Sequence, residues 1–384
     1  MHHRLLRRLA ASALVVSALA AGTALAAPAA VPPELNETNS WALAPSPAPP
    51  TGSALLDLRS LNEKAAGENG FLRLTEDGNG FALGDGTPVR FWAVDADAGV
   101  HPEQLDEYCA RLARLGVNMA RISISVCDAR EGAPITAVDD GAIERAQRFV
   151  AAAKKCGIYT LLVPYRGSVR LPKSWDLGDA PTAADLLIFN PTLQNAYRAW
   201  MKELLTRPNP YDEGLPLGRE PALGIIQLQE GDGVFWWSIQ GLPAPQMLSL
   251  EKLFGAWLVK KYGSLDTAYN AWDNYGQVDD DFDAGIVSMV NPSAWTWELS
   301  QYQYDGAAKR IGDEVEFLAR SQHDAYASLA GYLSKDLGCG QIIDDCNFIT
   351  LDPLLLDDAE HWTYTAGAAI AEDRSCGVTG AGRT

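Results

Sequence analysis

Four short stretches of this chain place rings, carboxylates and guanidiniums at the ends of apolar runs: Trp92 with Asp95 and Asp97, Arg121 with Ser123, Tyr165 with Arg166, and Gln229, Glu230 and Asp232 ahead of Trp236 and Trp237. Aromatic rings stack on the apolar faces of pyranoses, while carboxylates, amides and guanidiniums hydrogen-bond sugar hydroxyls. The inventory therefore suits a saccharide. Other chemistries fit less well. Asp279, Asp281 and Asp283 open like a calcium loop, but Ala284 and Val290 stand where glycine and glutamate are needed, so the segment reads as a solvated acidic loop. His101, His323 and His361 show no ligand spacing. Cys109, Cys127, Cys156, Cys339, Cys346 and Cys376 lack any C-x-x-C pair and read as small buried hydrophobes rather than a disulfide framework or a zinc site. No metal site is expected. Trp236, Trp237, Trp272, Trp295 and Trp297 either line a sugar cleft or pack their own loops.

The elements that must hold these residues alternate in period. Residues 71 to 97 alternate apolar and polar side chains around Asp77-Gly78-Asn79-Gly80 and Asp85-Gly86, which predicts hairpins feeding a strand at Arg90 to Val94. From His101 to Leu115 the spacing of Leu105, Tyr108, Leu112 and Leu115 predicts a helix, closed by Gly116. Further strands are expected at 117 to 125, 158 to 165, 222 to 230 and 341 to 349, with a sixth near 366 to 370. Helices are expected at 140 to 155, 190 to 205, 249 to 262, about 307 to 337, and 353 to about 365. Strand and helix in strict alternation imply parallel pairing with right-handed crossovers. The stretch FWAVDADAG after the first strand lacks the G-x-G-x-x-G turn of dinucleotide-binding sheets, so an α/β fold of the (β/α)8 TIM-barrel type is favoured over a doubly wound one.

Outside the barrel the sequence divides plainly. Residues 1 to 26 carry Arg4, Arg7 and Arg8, an apolar run from Leu9 to Gly22 and a small-residue Ala24-Leu25-Ala26 end, the pattern of a secretory signal peptide. The run is short of the roughly 20 residues a bilayer span needs, so no membrane association is expected after cleavage. Residues 27 to 52 are a Pro/Ala-rich linker, 53 to 89 a hairpin region, 90 to 367 the barrel domain and 368 to 384 an irregular tail. The formal charge is -18; without residues 1 to 26 it is -21, from 28 basic and 49 acidic residues. Such a chain repels nucleic acid and anionic membrane, which suits either a secreted or periplasmic protein acting on neutral material or one whose acidity serves solubility alone. Asn36-Glu37-Thr38 is a glycosylation sequon for a host that glycosylates.

One run is more specific. LEKLFGAWLVKKYGSLDTAYNAWDN, residues 250 to 274, resembles the helix and loop after the fourth strand in family 42 β-galactosidases and related cellulase-like barrels of glycoside hydrolase clan A, through Phe254, Trp257, Leu258, Tyr262-Gly263-Ser264-Leu265 and Asn270-Ala271-Trp272. LGVNMARI, residues 115 to 122, likewise resembles the clan's second-strand motif, which implies that Arg121 supports the nucleophile site. The resemblance extends loosely from about Gly70 to Gly367. It implies a retaining glycosidase for β-linked saccharides, with an acid/base ending the fourth strand and a nucleophile ending the seventh, about 5 to 5.5 Å apart. That chemistry needs no metal or organic cofactor. At the strand ends and the loop after the fourth strand, Trp92, Tyr165, Gln229, Asp232, Trp236 and Trp237 are the candidate substrate contacts.

Two departures stand against that pattern. Where the related sequences close the fourth strand on Gln-Asn-Glu-Asp, this chain has Gln229-Glu230-Gly231-Asp232. Alternation sets Gln227, Gln229 and Gly231 on the inner face and Ile226, Leu228 and Glu230 on the other. Glycine thus holds the acid/base position. Glu230 can turn across at the strand end as a substitute acid/base, bind a sugar hydroxyl, or be a structural carboxylate. The second departure is length: about six βα units are countable, and the seventh strand, with its nucleophile, is not among them. An incomplete barrel is therefore expected. A catalytically dead carbohydrate-binding relative and a truncated fragment are the alternatives to an active hydrolase.

Overall fold

The computed structural model describes residues 57–178, 182–231, 233–235, 237–291, 305–347 and 359–367. The signal peptide and linker expected over 1 to 52, the tail from 368, the sequon, Asp232, Trp236, Trp295, Trp297 and Cys376 lie outside the described residues.

Five parallel strands form the principal sheet: β4 (Ala93–Asp95), β5 (Met119–Ser123), β6 (Tyr159–Val163), β7 (Leu223–Gln229) and β8 (Ile342–Cys346). They lie side by side in chain order, each parallel to the one before. A doubly wound sheet reverses its strand order at a switch point, whereas the wall of a (β/α) barrel runs on in sequence. The order here is that of a barrel wall. All seven residues of β7 and all five of β8 are buried, as expected of parallel strands covered on both faces. Before them, β1 (Arg73–Leu74), β2 (Phe81–Ala82) and β3 (Pro88–Val89) make the expected small antiparallel hairpin sheet.

The helices begin and end where local chemistry directs them. Pro102 opens α1 (Pro102–Arg114), which buries Leu105, Cys109 and Ala113. Asp139 caps α2 (Asp140–Lys154), its carboxylate accepting from the Ala142 N–H at 3.1 Å. Asn190 does the same for Leu193 at the start of α3 (Pro191–Thr206), with Pro191 preset for the first turn. At Gly157, after α2, φ is +69° and a Cβ would sit 2.0 Å from the Glu63 carbonyl, so only glycine fits the turn into β6.

Between β7 and β8 the chain builds an insertion from α4 (Ala244–Tyr262), α5 (Leu265–Ala271) and α6 (Asp305–Gly331). Phe254 and Leu258 are buried, Trp257 stacks on Phe254 at 6.2 Å, and Trp272 is fully buried with its Nε1–H on Asp313 at 2.7 Å. Trp272 is thus core rather than cleft. Arg310 on α6, also fully buried, donates to both oxygens of Asp280 at 2.6 and 2.8 Å and to the Ser288 carbonyl at 2.8 Å. The acidic loop expected at 279 to 283 is therefore solvated only in part, because Asp280 is the counterion of a buried arginine.

Three expectations shift. β4 starts at Ala93 rather than Arg90, because the hairpin sheet claims Pro88–Val89. Ala366, expected to open a sixth strand, lies in a 3-10 turn, Tyr364–Ala366, and 368 to 370 fall outside the described residues. α4 begins five residues earlier than the expected Ser249, with Pro245 in its first turn. Among the described residues, no helix is long and apolar enough to cross a membrane, and no group of three or more His, Cys, Asp or Glu is arranged to hold a metal. Cys109, Cys127, Cys339 and Cys346 are buried, and burial pushes the thiols of Cys109 and Cys127 up to about 12.

Candidate functional site

A cleft of about 510 Å³ opens at the C-terminal ends of β4 to β7, where barrel folds carry their chemistry. It is lined by Asp95 at the end of β4, Asp97 beyond it, Arg121 and Ser123 on β5, Arg145 on α2, Arg166 after β6 and Glu230 after β7. Parallel register sets Asp95 beside Arg121, and a further bridge pairs Arg166 with Glu230.

Glu230 is the centre of a charged cage. Its Oε1 accepts from Arg121 Nη1 at 3.2 Å; its Oε2 accepts from the Ser123 hydroxyl and lies 2.9 Å from Arg166 Nε. Arg166 Nε also donates to Ser123 Oγ at 2.6 Å. Arg121 is fully committed: the same Nη1 reaches Asp95 at 3.1 Å, while Nε and Nη2 hold the Gln227 amide oxygen at 3.3 and 3.1 Å. Burial pushes the Glu230 carboxyl upward, but the Ser123 hydroxyl and the Arg121 and Arg166 charges outweigh it and hold the group below the ordinary glutamate range. A carboxylate kept ionised accepts hydrogen bonds well and delivers protons poorly.

The side to which Glu230 points differs from strict alternation. β7 ends at Gln229, and Gly231 has a φ of +66°, outside the strand region, with its N–H on the Asn347 amide oxygen at 3.2 Å. Glu230 thus sits where regular strand geometry ends, and its side chain turns into the cleft. Position 231 itself offers no side chain, and a Cβ built there meets nothing within 4 Å.

Asp95, Asp97, Ser123 and Arg166, also singled out at strand ends, join Arg121 and Glu230 in the cleft, while the expected substrate contacts do not gather there. Trp92 is exposed and lies at the end of the strands opposite the cleft, since its backbone and Asn118 pair where β4 and β5 begin. Tyr165 is buried, 5.9 Å from both Tyr197 and Trp200 of α3, and belongs to the layer between sheet and helices. Gln229 is buried and donates to the Tyr326 hydroxyl of α6 at 2.7 Å. Trp237 opens a 3-10 turn, Trp237–Gly241, and its side chain is outside the described residues, as are Asp232 and Trp236. Of the two catalytic candidates and these six contacts, Arg121 and Glu230 alone meet in the cleft among the described residues.

Arg145 and Asp345 were not foreseen. Arg145 lies a turn and a half into the helix after β5, and a βα helix starts on the site side of a barrel, which is the signal that could have found it. Asp345, on β8, is fully buried with one oxygen on the Gly367 N–H at 2.7 Å; burial, with Asp344 adding to it, pushes its carboxyl up to about 8.

No family model and no curated protein matches this chain. Among solved structures, the chain is similar to an endo-1,4-beta-mannanase from Rhizomucor miehei (12% identity, 72% of this chain and 89% of that one, TM-score 0.38). It is also similar to the catalytic domain of a beta-amylase from Paenibacillus polymyxa (13% identity, 72% and 71%, TM-score 0.47). Against the GH5_18 protein of Bifidobacterium longum subsp. longum it is 17% identical over 34% of this chain and 29% of that one, with a TM-score of 0.26, so it spans under a third of that neighbour's length. Values this low define neither a family nor a chemistry, and the fold assignment rests on the strand order.

Proposed function

We propose that this chain is an extracytoplasmic, glycoside hydrolase-like protein whose cleft binds a β-linked saccharide without cleaving it. The observation that carries the reading is the state of Glu230: two guanidiniums and a hydroxyl hold it ionised, and the neighbouring position 231, where the resemblance to family 42 and clan A calls for an acid/base, is glycine. Protonating a leaving oxygen needs a carboxyl that keeps its proton near neutral pH. Glu230 is the opposite. An ionised carboxylate beside Ser123, Asp95 and arginine instead suits a ring of acceptors and donors for sugar hydroxyls. The N-terminal signal pattern supports export, and the overall charge supports a largely neutral glycan.

A second reading has one observation in its favour. Asp95 and Glu230 share a single nitrogen of Arg121, which brings two carboxylates from β4 and β7 to one cleft. In an active enzyme Glu230 would then attack and Asp95 would donate the proton. Calorimetry with soluble β-glycans, run beside an aryl-β-glycoside panel on the same sample, separates the two readings. Binding that Glu230→Gln weakens, without turnover, is expected. Turnover that Glu230→Gln abolishes would replace the proposal with the retaining hydrolase.

A further inference from the structure

The cleft's cations are not equally occupied. Arg121 spends every nitrogen on Asp95, Glu230 and Gln227. Arg166 commits only Nε, leaving Nη1 and Nη2 without a partner among the described residues, and its side chain is 47% exposed. Arg145, 46% exposed, has one ion pair within 4 Å among the described residues, with Asp139 at 3.7 Å, beyond hydrogen-bond reach. Two guanidiniums thus line one cleft with N–H edges to spare, in a chain whose formal charge is -18.

The planar N–H fork of a guanidinium matches a carboxylate in shape and charge. A neutral sugar's hydroxyls accept from such a fork too, but without the charge that makes a guanidinium–carboxylate contact the stronger one. Glu230 does not supply the missing partner, because Arg166 reaches it through Nε and not through Nη1 or Nη2. The acidic surface elsewhere argues against a polyanion but not against one charge. At physiological salt, exposed charges more than about 8 Å away are largely screened, so a ligand group in the cleft responds mainly to the charges that line it, Arg145 and Arg166 with their spare N–H groups among them. Asp95 and Asp97, which line the same cleft, are acceptors for hydroxyls.

We infer that the cleft seats a uronic acid residue of an otherwise neutral β-linked saccharide, its carboxylate taken by Arg145 and Arg166 and its hydroxyls by Asp95 and Asp97. The inference rests on the saccharide reading above and names the substituent that reading leaves open. It predicts selectivity between ligands that differ at one carbon.

Titration calorimetry of the full chain at low ionic strength, with cellobiouronic acid and cellobiose as probes, tests it. The acid should bind about tenfold more tightly than the neutral disaccharide, the worth of one charge-assisted contact, and added salt should narrow the gap. Arg145→Gln, at an exposed site, and Arg166→Gln should each reduce the ratio severalfold. Equal affinity for the two disaccharides would overturn the inference while leaving saccharide binding intact. A preference that survives in both variants would overturn the assignment to these arginines. Binding of neither probe would also overturn it, and the reading beneath is then judged separately by its own glycan and aryl-glycoside assays.

Discussion

The ends of β7 and β8 carry carboxylates on neighbouring parallel strands, and the two are pushed in opposite directions. Glu230 lies against Arg121, Arg166 and Ser123 and is held ionised. Asp345 is fully buried without an ion-pair partner among the described residues, beside Asp344, and keeps its proton up to about 8. Active hydrolases of the two-carboxylate kind need one group of each sort facing the same bond. Here the ionised one faces the cleft, while the protonated one is not part of the cleft lining and ties down Gly367 instead. The chain thus contains both electrostatic states, but not in one site.

The contrast can be broken at its cationic side. Arg121→Met removes the group that serves Glu230, Asp95 and Gln227 together, leaving partly buried acceptors unpaired. Thermal or urea unfolding should show a loss of about 2–4 kcal/mol, and saccharide binding should disappear. A variant of wild-type stability would mean that the cage is ornamental.

Asp345 gives the next largest effect, with a definite sign. Its folded pKa is raised above the unfolded value, so the folded state holds an extra proton through the interval between them. Stability should therefore fall as pH rises from the ordinary carboxylate range towards about 8, and level off beyond. Asp345→Asn keeps an acceptor for Gly367 and removes the titration. Denaturant midpoints against pH should be flatter in this variant, by about 1–3 kcal/mol across that interval.

Glu230 has the opposite sign and a smaller size. Its folded pKa is lowered, so its contribution is present above the unfolded value and is lost as pH falls through the folded one. Glu230→Gln should cost about 1–2 kcal/mol at neutral pH and progressively less in acid, read from the same unfolding series. A cost independent of pH would show that packing, not charge, holds the residue. The smallest effect belongs to Gly231→Ala, where a φ of +66° costs about 1 kcal/mol although the space is open, measurable as a modest shift in denaturant midpoint.

The fold was more legible than the site. Helices such as α3 announce themselves twice, through the Asn190-Pro191 start and the burial period of Leu193, Tyr197, Trp200 and Leu204, and both signals are local. β7 reads as a buried strand because all its residues are apolar, amide or glycine. The start of β4 did not read correctly, since the apolar run Phe91-Trp92-Ala93-Val94 shows no break between hairpin and barrel strand, and only pairing tells them apart. Alternation also failed at Glu230, because it holds within a strand and Glu230 lies one residue past its end, before a left-handed glycine. Tyr165 and the Arg310–Asp280 pair depend on contacts tens of residues apart, for which no local pattern exists.

The most direct measurement is the titration of the Glu230 carboxyl itself, by carbon-13 NMR of glutamate-labelled protein with Glu230→Gln for assignment. The absence of a proton donor at Glu230 predicts a resonance that stays ionised throughout neutral pH and titrates below the ordinary glutamate range. A Glu230 carboxyl that remains protonated towards neutrality would contradict it, and would make this residue the acid of a working hydrolase.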